Sequence, residues 1–420
     1  MGKESKGSLH FGYLVVVALV LTSFMPLSFG LSCAGIFYPP LSEALGVEKG
    51  VLSYYISVLW VAALVALPFM GRLLDGKDAR ACLTGAVAIV VVAFVWLSFT
   101  RVLWQFYVAA AAMGVAVGML LFLAPSTLIN RWFAKRAGVM LGICMAFTGV
   151  GGMVWSTVGG LLIDAIGWSA TYLVFAALSA LTLPVTLFMV SSRPADKGLK
   201  PLGWEPGDEA RASAPAAQGV PASQAFKMPV FYLILIMCFT LNIAMAVYFL
   251  IPSYATTLEI GAAMPLLGAT ASSVAMAGQT GSKLVLGAVG EKAPHASTLV
   301  ALGCGIAGSA LFAFVAGSVP VFYASALLFG VYYGITNVMM PLFTRRAFGD
   351  AEYAQIYSRV SMVASISNVI GGFVWGTLVS VTGSYVVMFV GAIALMAVTC
   401  IVVVAISRMK NAAANVNANK

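Results

Sequence analysis

The chain alternates long apolar runs with short polar breaks. At about 20 mainly apolar residues per crossing, the pattern predicts twelve membrane-spanning helices. They fall at 11–33, 50–73, 79–100, 103–129, 137–163, 168–191, 229–254, 265–289, 295–316, 320–343, 353–380 and 384–407. The runs are continuous rather than alternating, which predicts helices and not the strands of a barrel. Lys3 and Lys6 precede the first run as basic residues precede a secretion signal. That run is too long for a signal core and eleven more follow it, so it is read as a retained helix. The expected fold class is an all-α membrane protein.

One polar break is long. Residues 192–228 carry Pro194, Pro201, Pro206, Pro215 and Pro221 among Ala, Ser and Gly, the composition of an extended and partly disordered linker. The expected organisation is a six-helix bundle over 1–191, a linker over 192–228, a second bundle over 229–407 and a tail over 408–420. A single offset of 216 residues aligns the two halves without gaps from position 71 to 167. It pairs Gly71 with Gly287, Asp75 with Glu291, Gly114 with Gly330 and Gly118 with Gly334. It also pairs Pro125 with Pro341, Gly160 with Gly376 and Gly167 with Gly383. Units with an even number of spans insert in the same orientation. The expectation is a parallel duplication, with a site between the halves near the middle of the membrane.

Composition narrows the function classes. The chain is 61% hydrophobic and 9% charged, where soluble domains carry about 25% charged residues. That excludes an ordinary cytosolic enzyme, a nucleic-acid binder and a disordered chain. The net charge of +9 follows from topology instead. With both termini on one side, every Lys and Arg except Lys49 and Arg101 falls on that side, Lys283 being counted to its nearer end. The positive-inside rule then predicts a multi-pass cell-membrane protein with both termini in the cytoplasm. Some of this charge is expected to meet anionic lipid, and a monomer is expected. Six single cysteines and two histidines form no metal, disulfide or catalytic spacing, so neither a cofactor nor an enzymatic reaction is expected.

Several motifs carry a family resemblance. The loop after the second span reads Gly71-Arg72-Leu73-Leu74-Asp75-Gly76-Lys77-Asp78-Ala79-Arg80, and Gly287-Ala288-Val289-Gly290-Glu291-Lys292 is its second copy. Physically, the glycine lets two helices approach, and the acid can cap a helix or pair with a base. Arg131-Trp132-Phe133-Ala134-Lys135-Arg136-Ala137-Gly138 leads into a glycine-rich fifth span that reaches Gly167-Trp168-Ser169-Ala170-Thr171-Tyr172. The linker opens Arg193-Pro194-Ala195-Asp196-Lys197-Gly198-Leu199, and the first span ends Gly35-Ile36-Phe37-Tyr38-Pro39-Pro40-Leu41. Together these resemble the major facilitator superfamily over nearly the whole chain, in its monocarboxylate-transporter and oxalate/formate-antiporter branch. The resemblance implies the major facilitator fold and a carrier that alternates access to a small organic anion.

Ionisable residues inside a span are functional hypotheses by default, and Lys283 is the foremost one here. It lies eight residues before Glu291, about 12 Å along a helix. Gln279, four residues earlier, shares its face. The resembling family places an arginine at the Lys283 position, preceded four residues earlier by an acid or amide, and that arginine is understood to hold the substrate carboxylate. Lysine is a point charge that cannot make the planar bidentate clamp. Two readings stand for Lys283: a contact to the substrate, or a side chain snorkelling to the interface. Tyr332, Tyr333, Asn337 and Tyr38 are further candidates for the cavity wall, the resemblance placing an aromatic in the tenth span. Gly71, Arg72, Asp75, Arg131, Gly287, Glu291, Lys292 and Arg359 are candidates for a gate or structural loop. No clear acid lies at membrane depth. A coupling proton would therefore ride on Lys283 or on the substrate, or be replaced by anion exchange. The expected function is secondary transport of a monocarboxylate such as lactate or pyruvate. The alternatives are an oxalate/formate-type exchanger, a carrier of a non-carboxylate, and a sensor that does not transport.

Overall fold

Inside lipid a backbone can satisfy its own polar groups only as a helix or a closed barrel, and the regular elements among the described residues are all helices. A computed structural model describes residues 10–47, 49–76, 78–204, 219–264, 267–350 and 352–418. Lys3 and Lys6, Lys77 of the loop signature, and Pro206 and Pro215 lie outside the described residues. Twelve long helices follow in chain order: α1 (Phe11–Leu45), α2 (Lys49–Gly76), α3 (Ala79–Ser98), α4 (Leu103–Trp132), α5 (137–166) and α6 (168–189). The second set is α7 (Pro229–Ala255), α8 (Leu267–Gly290), α9 (Pro294–Phe314), α10 (Val319–Phe348), α11 (Tyr353–Thr382) and α12 (Tyr385–Ala418).

Among the described residues, ten helices are long and apolar enough to cross a membrane. One of these, Ala137–Met189, is two crossings joined at Gly167, where φ 81° and ψ 163° interrupt the helix. The twelfth crossing is α8, whose Ser272, Ser273, Gln279, Ser282 and Lys283 lower its hydropathy. That helix faces a cavity and its neighbours more than lipid. The first helix bends in a widened turn at Pro26, and past a turn at Ser32–Cys33 it continues beyond the expected 33 as Ala34–Phe37 and Tyr38–Leu45.

The 216-residue offset reappears as packing. A Cβ on Gly71 would meet the Ala354 carbonyl oxygen at 2.7 Å and Ser358 Cβ at 2.8 Å. A Cβ on Gly287 would meet the Gly138 carbonyl oxygen and Gly142 Cα. Each partner pair is also related by the offset, so the glycines bring α2 onto α11 and α8 onto α5 in equivalent ways. Within each half, Gly114 lies on the Leu59 carbonyl and Gly330 on the Ala275 carbonyl, the same pair once more. Gly167 and Gly383 share a positive φ, of 81° and 66°. Both halves also bend in the same place. The widened turn of α4 begins at Gly118 ahead of Pro125, and α10 breaks at Gly334 ahead of Pro341.

The described parts of the 192–228 segment pack at one end of the bundle. The Leu202 amide donates to the Trp132 carbonyl at the end of α4 (2.8 Å) and the Val220 amide to the Phe348 carbonyl at the end of α10 (2.7 Å). This linker end also holds the ends of α2 and α8 and the starts of α5 and α11. The opposite end is called the far end below. Phe69, Phe188, Phe373 and Val381 are among the large apolar side chains exposed on the outside, as a lipid-facing surface requires.

Candidate functional site

A cavity of about 540 Å³ lies between the first six helices and the last six. Helices α1, α2, α4 and α5 wall one side, and α7, α8, α10 and α11 the other. Toward the far end its lining is exposed, with Met153 at 39% and Phe249 at 56%; Lys283, at 1%, lies at its floor. The cavity therefore opens at the far end and is closed at the linker end.

Position 283 lies on the face of α8 turned to the seam with α5. Its Nζ donates to the Thr148 hydroxyl at 3.0 Å and to the Met145 carbonyl at 3.2 Å, both on α5. The amine thus reaches across from one half to the other, rather than snorkelling to an interface. No Asp or Glu lines the cavity among the described residues. Gln279 is beside it on the same face, 5% exposed and also in the lining. Tyr333 and Asn337 line the cavity from α10, on either side of the break at Gly334, and the Tyr333 hydroxyl lies within hydrogen-bonding reach of Gln279.

Two expected wall residues lie elsewhere. Tyr332, one position from Tyr333, points about 100° away into the second bundle. It is fully buried there, and its hydroxyl donates to the Leu241 carbonyl. Tyr38 opens the last stretch of α1, outside the cavity lining, and its buried hydroxyl has no hydrogen-bond partner. The sequence reading did not single out Thr148, Trp60 or Phe122, all of which line the cavity. Trp60 and Phe122 read as ordinary lipid-facing or core aromatics in an apolar run. Only the partner helix shows otherwise.

The loop residues close the linker end. Arg131 Nη2 meets Asp75 Oδ1 at 2.8 Å, and Asp75 Oδ2 accepts the backbone amide of Gln355 at the start of α11 (3.1 Å). Glu291 does the same for α5, accepting the Gly138 amide at 2.6 Å. Each acid thus sits at the positive end of a helix from the other half. Arg346 donates to the Glu291 carbonyl. Arg345 adds a bond that the sequence did not suggest: it pairs with Asp350 at 3.0 Å and donates to the Asn130 carbonyl of α4 at 3.2 Å. Arg72 and Lys292 are exposed at the same end. Arg359 is half-buried in α11, against Met362 sulfur and outside the cavity lining. Asp78, in the turn between α2 and α3, caps α3 through the Arg80 amide at 3.0 Å. The Ser192 hydroxyl donates to it at 2.7 Å and holds its carboxyl below the usual range.

Comparison with known proteins places this geometry. An MFS-type transporter of Aspergillus niger, pynF, is 27% identical over 146 residues, 35% of this chain and 33% of that protein. Multidrug resistance protein MdtG of Proteus mirabilis is 27% identical over 149 residues, 36% of each. Human monocarboxylate transporter 6 is 23% identical over 169 residues, 40% of this chain and 33% of that one. The chain thus spans about a third of the length of each of these relatives. Among solved structures, the human organic anion transporter MFSD10 superposes with a TM-score of 0.71 at 14% identity, covering 94% of this chain and 99% of that one. The proton:xylose symporter XylE superposes with a TM-score of 0.73 at 11% identity, covering 93% and 94%. At these identities the structures speak for the fold alone. The family model of the Major Facilitator Superfamily matches residues 20–372, and with most of the chain inside that match, the protein belongs to the Major Facilitator Superfamily of membrane transporters.

Proposed function

We propose that this transporter is a secondary carrier of a small organic anion with one carboxylate, of the lactate or pyruvate kind. The observation that supports this is Lys283: a primary amine at the floor of the central cavity, 1% exposed, with only neutral oxygens of α5 as partners. A buried charge needs a counter-charge or enough hydrogen bonds to replace water. A carboxylate arriving through the cavity supplies both. One cation favours one carboxylate, which argues against an oxalate-type dianion.

The carrier works by alternating access. The first six helices rock against the last six, and the site passes from the far end to the linker end. By the positive-inside rule the linker end and both termini face the cytoplasm. Coupling is by proton symport or by anion exchange. Since no carboxylate lines the cavity among the described residues, a symported proton travels on Lys283 or on the substrate.

The test is uptake into proteoliposomes of a carboxylate panel, with and without a pH gradient. Monocarboxylates should be taken up, and Lys283→Gln should weaken their apparent affinity by about tenfold to a hundredfold, as expected for a lost charge-assisted hydrogen bond. Unchanged affinity in that variant rejects Lys283 as the anchor. Uptake of sugars or cations, with no carboxylate transported, favours the second reading, a carrier of a neutral or cationic compound. The likeness to a multidrug resistance protein keeps that reading in view.

A further inference from the structure

Carboxylate recognition accounts for one corner of the cavity and leaves most of its wall unexplained. A molecule the size of lactate or pyruvate occupies a small part of about 540 Å³. Part of the lining is apolar: Trp60, Leu121, Phe122 and Met245 contribute at 6–8% exposure, with Asn242, Thr336 and Asn337 among them. Trp60 from α2 and Phe122 from α4 form a tilted aromatic pair, with ring centroids 6.0 Å apart. They meet no ligand charge, because Lys283 is the only Lys or Arg in the lining among the described residues. A second carboxylate on a substrate would rest against these rings without a cation. A substrate that is all carboxylate would leave them wetted and uncovered.

Water held against an apolar wall in a closing cavity is unfavourable, and an apolar group that displaces it gains binding energy. Resting on the reading of Lys283 as a carboxylate anchor, we infer that the site selects monocarboxylates whose remainder is an apolar body larger than a methyl group. An alkyl chain of several carbons or a single aromatic ring would lie against Trp60 and Phe122. Such acids should bind ahead of formate, acetate and oxalate. Gln279, on the face of Lys283, and the Tyr333 hydroxyl beside it are placed to orient the carboxylate end.

The experiment is a homologous series. The purified transporter in detergent is titrated with sodium formate, acetate, propionate, butyrate, valerate and phenylacetate, and with oxalate, and binding is read by thermal shift. Affinity should rise about fourfold per added methylene, the equivalent of about 0.8 kcal/mol, with phenylacetate among the tightest and oxalate no better than formate. Trp60→Leu and Phe122→Leu, two milder truncations of the same wall, should each flatten the series. Lys283→Gln should weaken all members alike. A flat series in the unaltered protein, with acetate bound, overturns the inference and leaves the carboxylate reading intact. Binding of no carboxylate overturns both. A steep series that neither wall variant changes overturns the assignment to Trp60 and Phe122.

Discussion

Lys283 is held by two oxygens of α5, and this makes the residue a link between the halves as well as a charge. When the linker end opens, α5 and α8 must part, and the link breaks. Thr148 supplies the side-chain half of it. Thr148→Val keeps the shape and removes the acceptor, so the state closed at the linker end should lose about 1.5–3 kcal/mol, the usual worth of a hydrogen bond to a charged group. Cys238 can report this. It is 2% exposed and lines a small closed space below the main cavity, between Phe122 and Tyr357. In Thr148→Val a thiol reagent should label Cys238 faster than in the unaltered protein, and Thr148→Ser should restore the slow rate. Equal rates in all three would mean that the link does not hold the closed state. Tyr332 and Tyr333 show what a residue-level reading lacks. Both are apolar-run tyrosines, and only the rotation of α10 decides that one lines the cavity and its neighbour is core.

Helix pairs carry the closure. The seams α2–α11 and α5–α8 are built alike, each with a glycine at the point of closest approach and an acid capping the partner helix. Gly287→Ala would drive a methyl into the Gly138 carbonyl and force α8 off α5. Transport should fall at least tenfold, since the glycine contact is backbone on backbone and has no side chain that can yield. Gly376→Ala is the contrast: its Cβ would meet nothing within 4 Å. With alanine the better helix former by up to about 1 kcal/mol, that variant should transport normally and melt no lower. A transport assay beside a thermal melt checks both. Gly160 and Gly376 align in the sequence just as Gly71 and Gly287 do, yet neither is needed for packing. Repeat alignment finds equivalent positions; it does not tell which of them bear contact.

At the scale of the molecule, charge and packing point to one arrangement. The linker end holds Asp75, Arg131, Glu291, Arg345 and Arg346 in bonds that cross between helices, and the far end is open. The basic bias along the chain predicts that this end faces the cytoplasm. A fluorescent or enzymatic reporter fused after Lys420 should be active on the cytoplasmic side of intact cells. A reporter reading the opposite side would invert the proposed direction of access, though not the site.

The number of helices, their duplication and the loop acids were legible in the sequence, because they follow from local rules. An apolar run in lipid has to be a helix, and a duplicated unit repeats its glycines and prolines at one offset. In the sequence α8 reads as one more apolar run, and Lys283, with Gln279 on its face, stands out because an ionisable residue inside a span is a functional hypothesis; both line the cavity. Only the tertiary structure decided what faces Lys283, which tyrosine joins the wall, and that Trp60 and Phe122 close on the same space. These are relations between helices distant in sequence. Each depends on the rotation of one helix against another, and the apolar pattern of a lipid-embedded helix scarcely encodes that rotation, because lipid and protein core favour the same side chains.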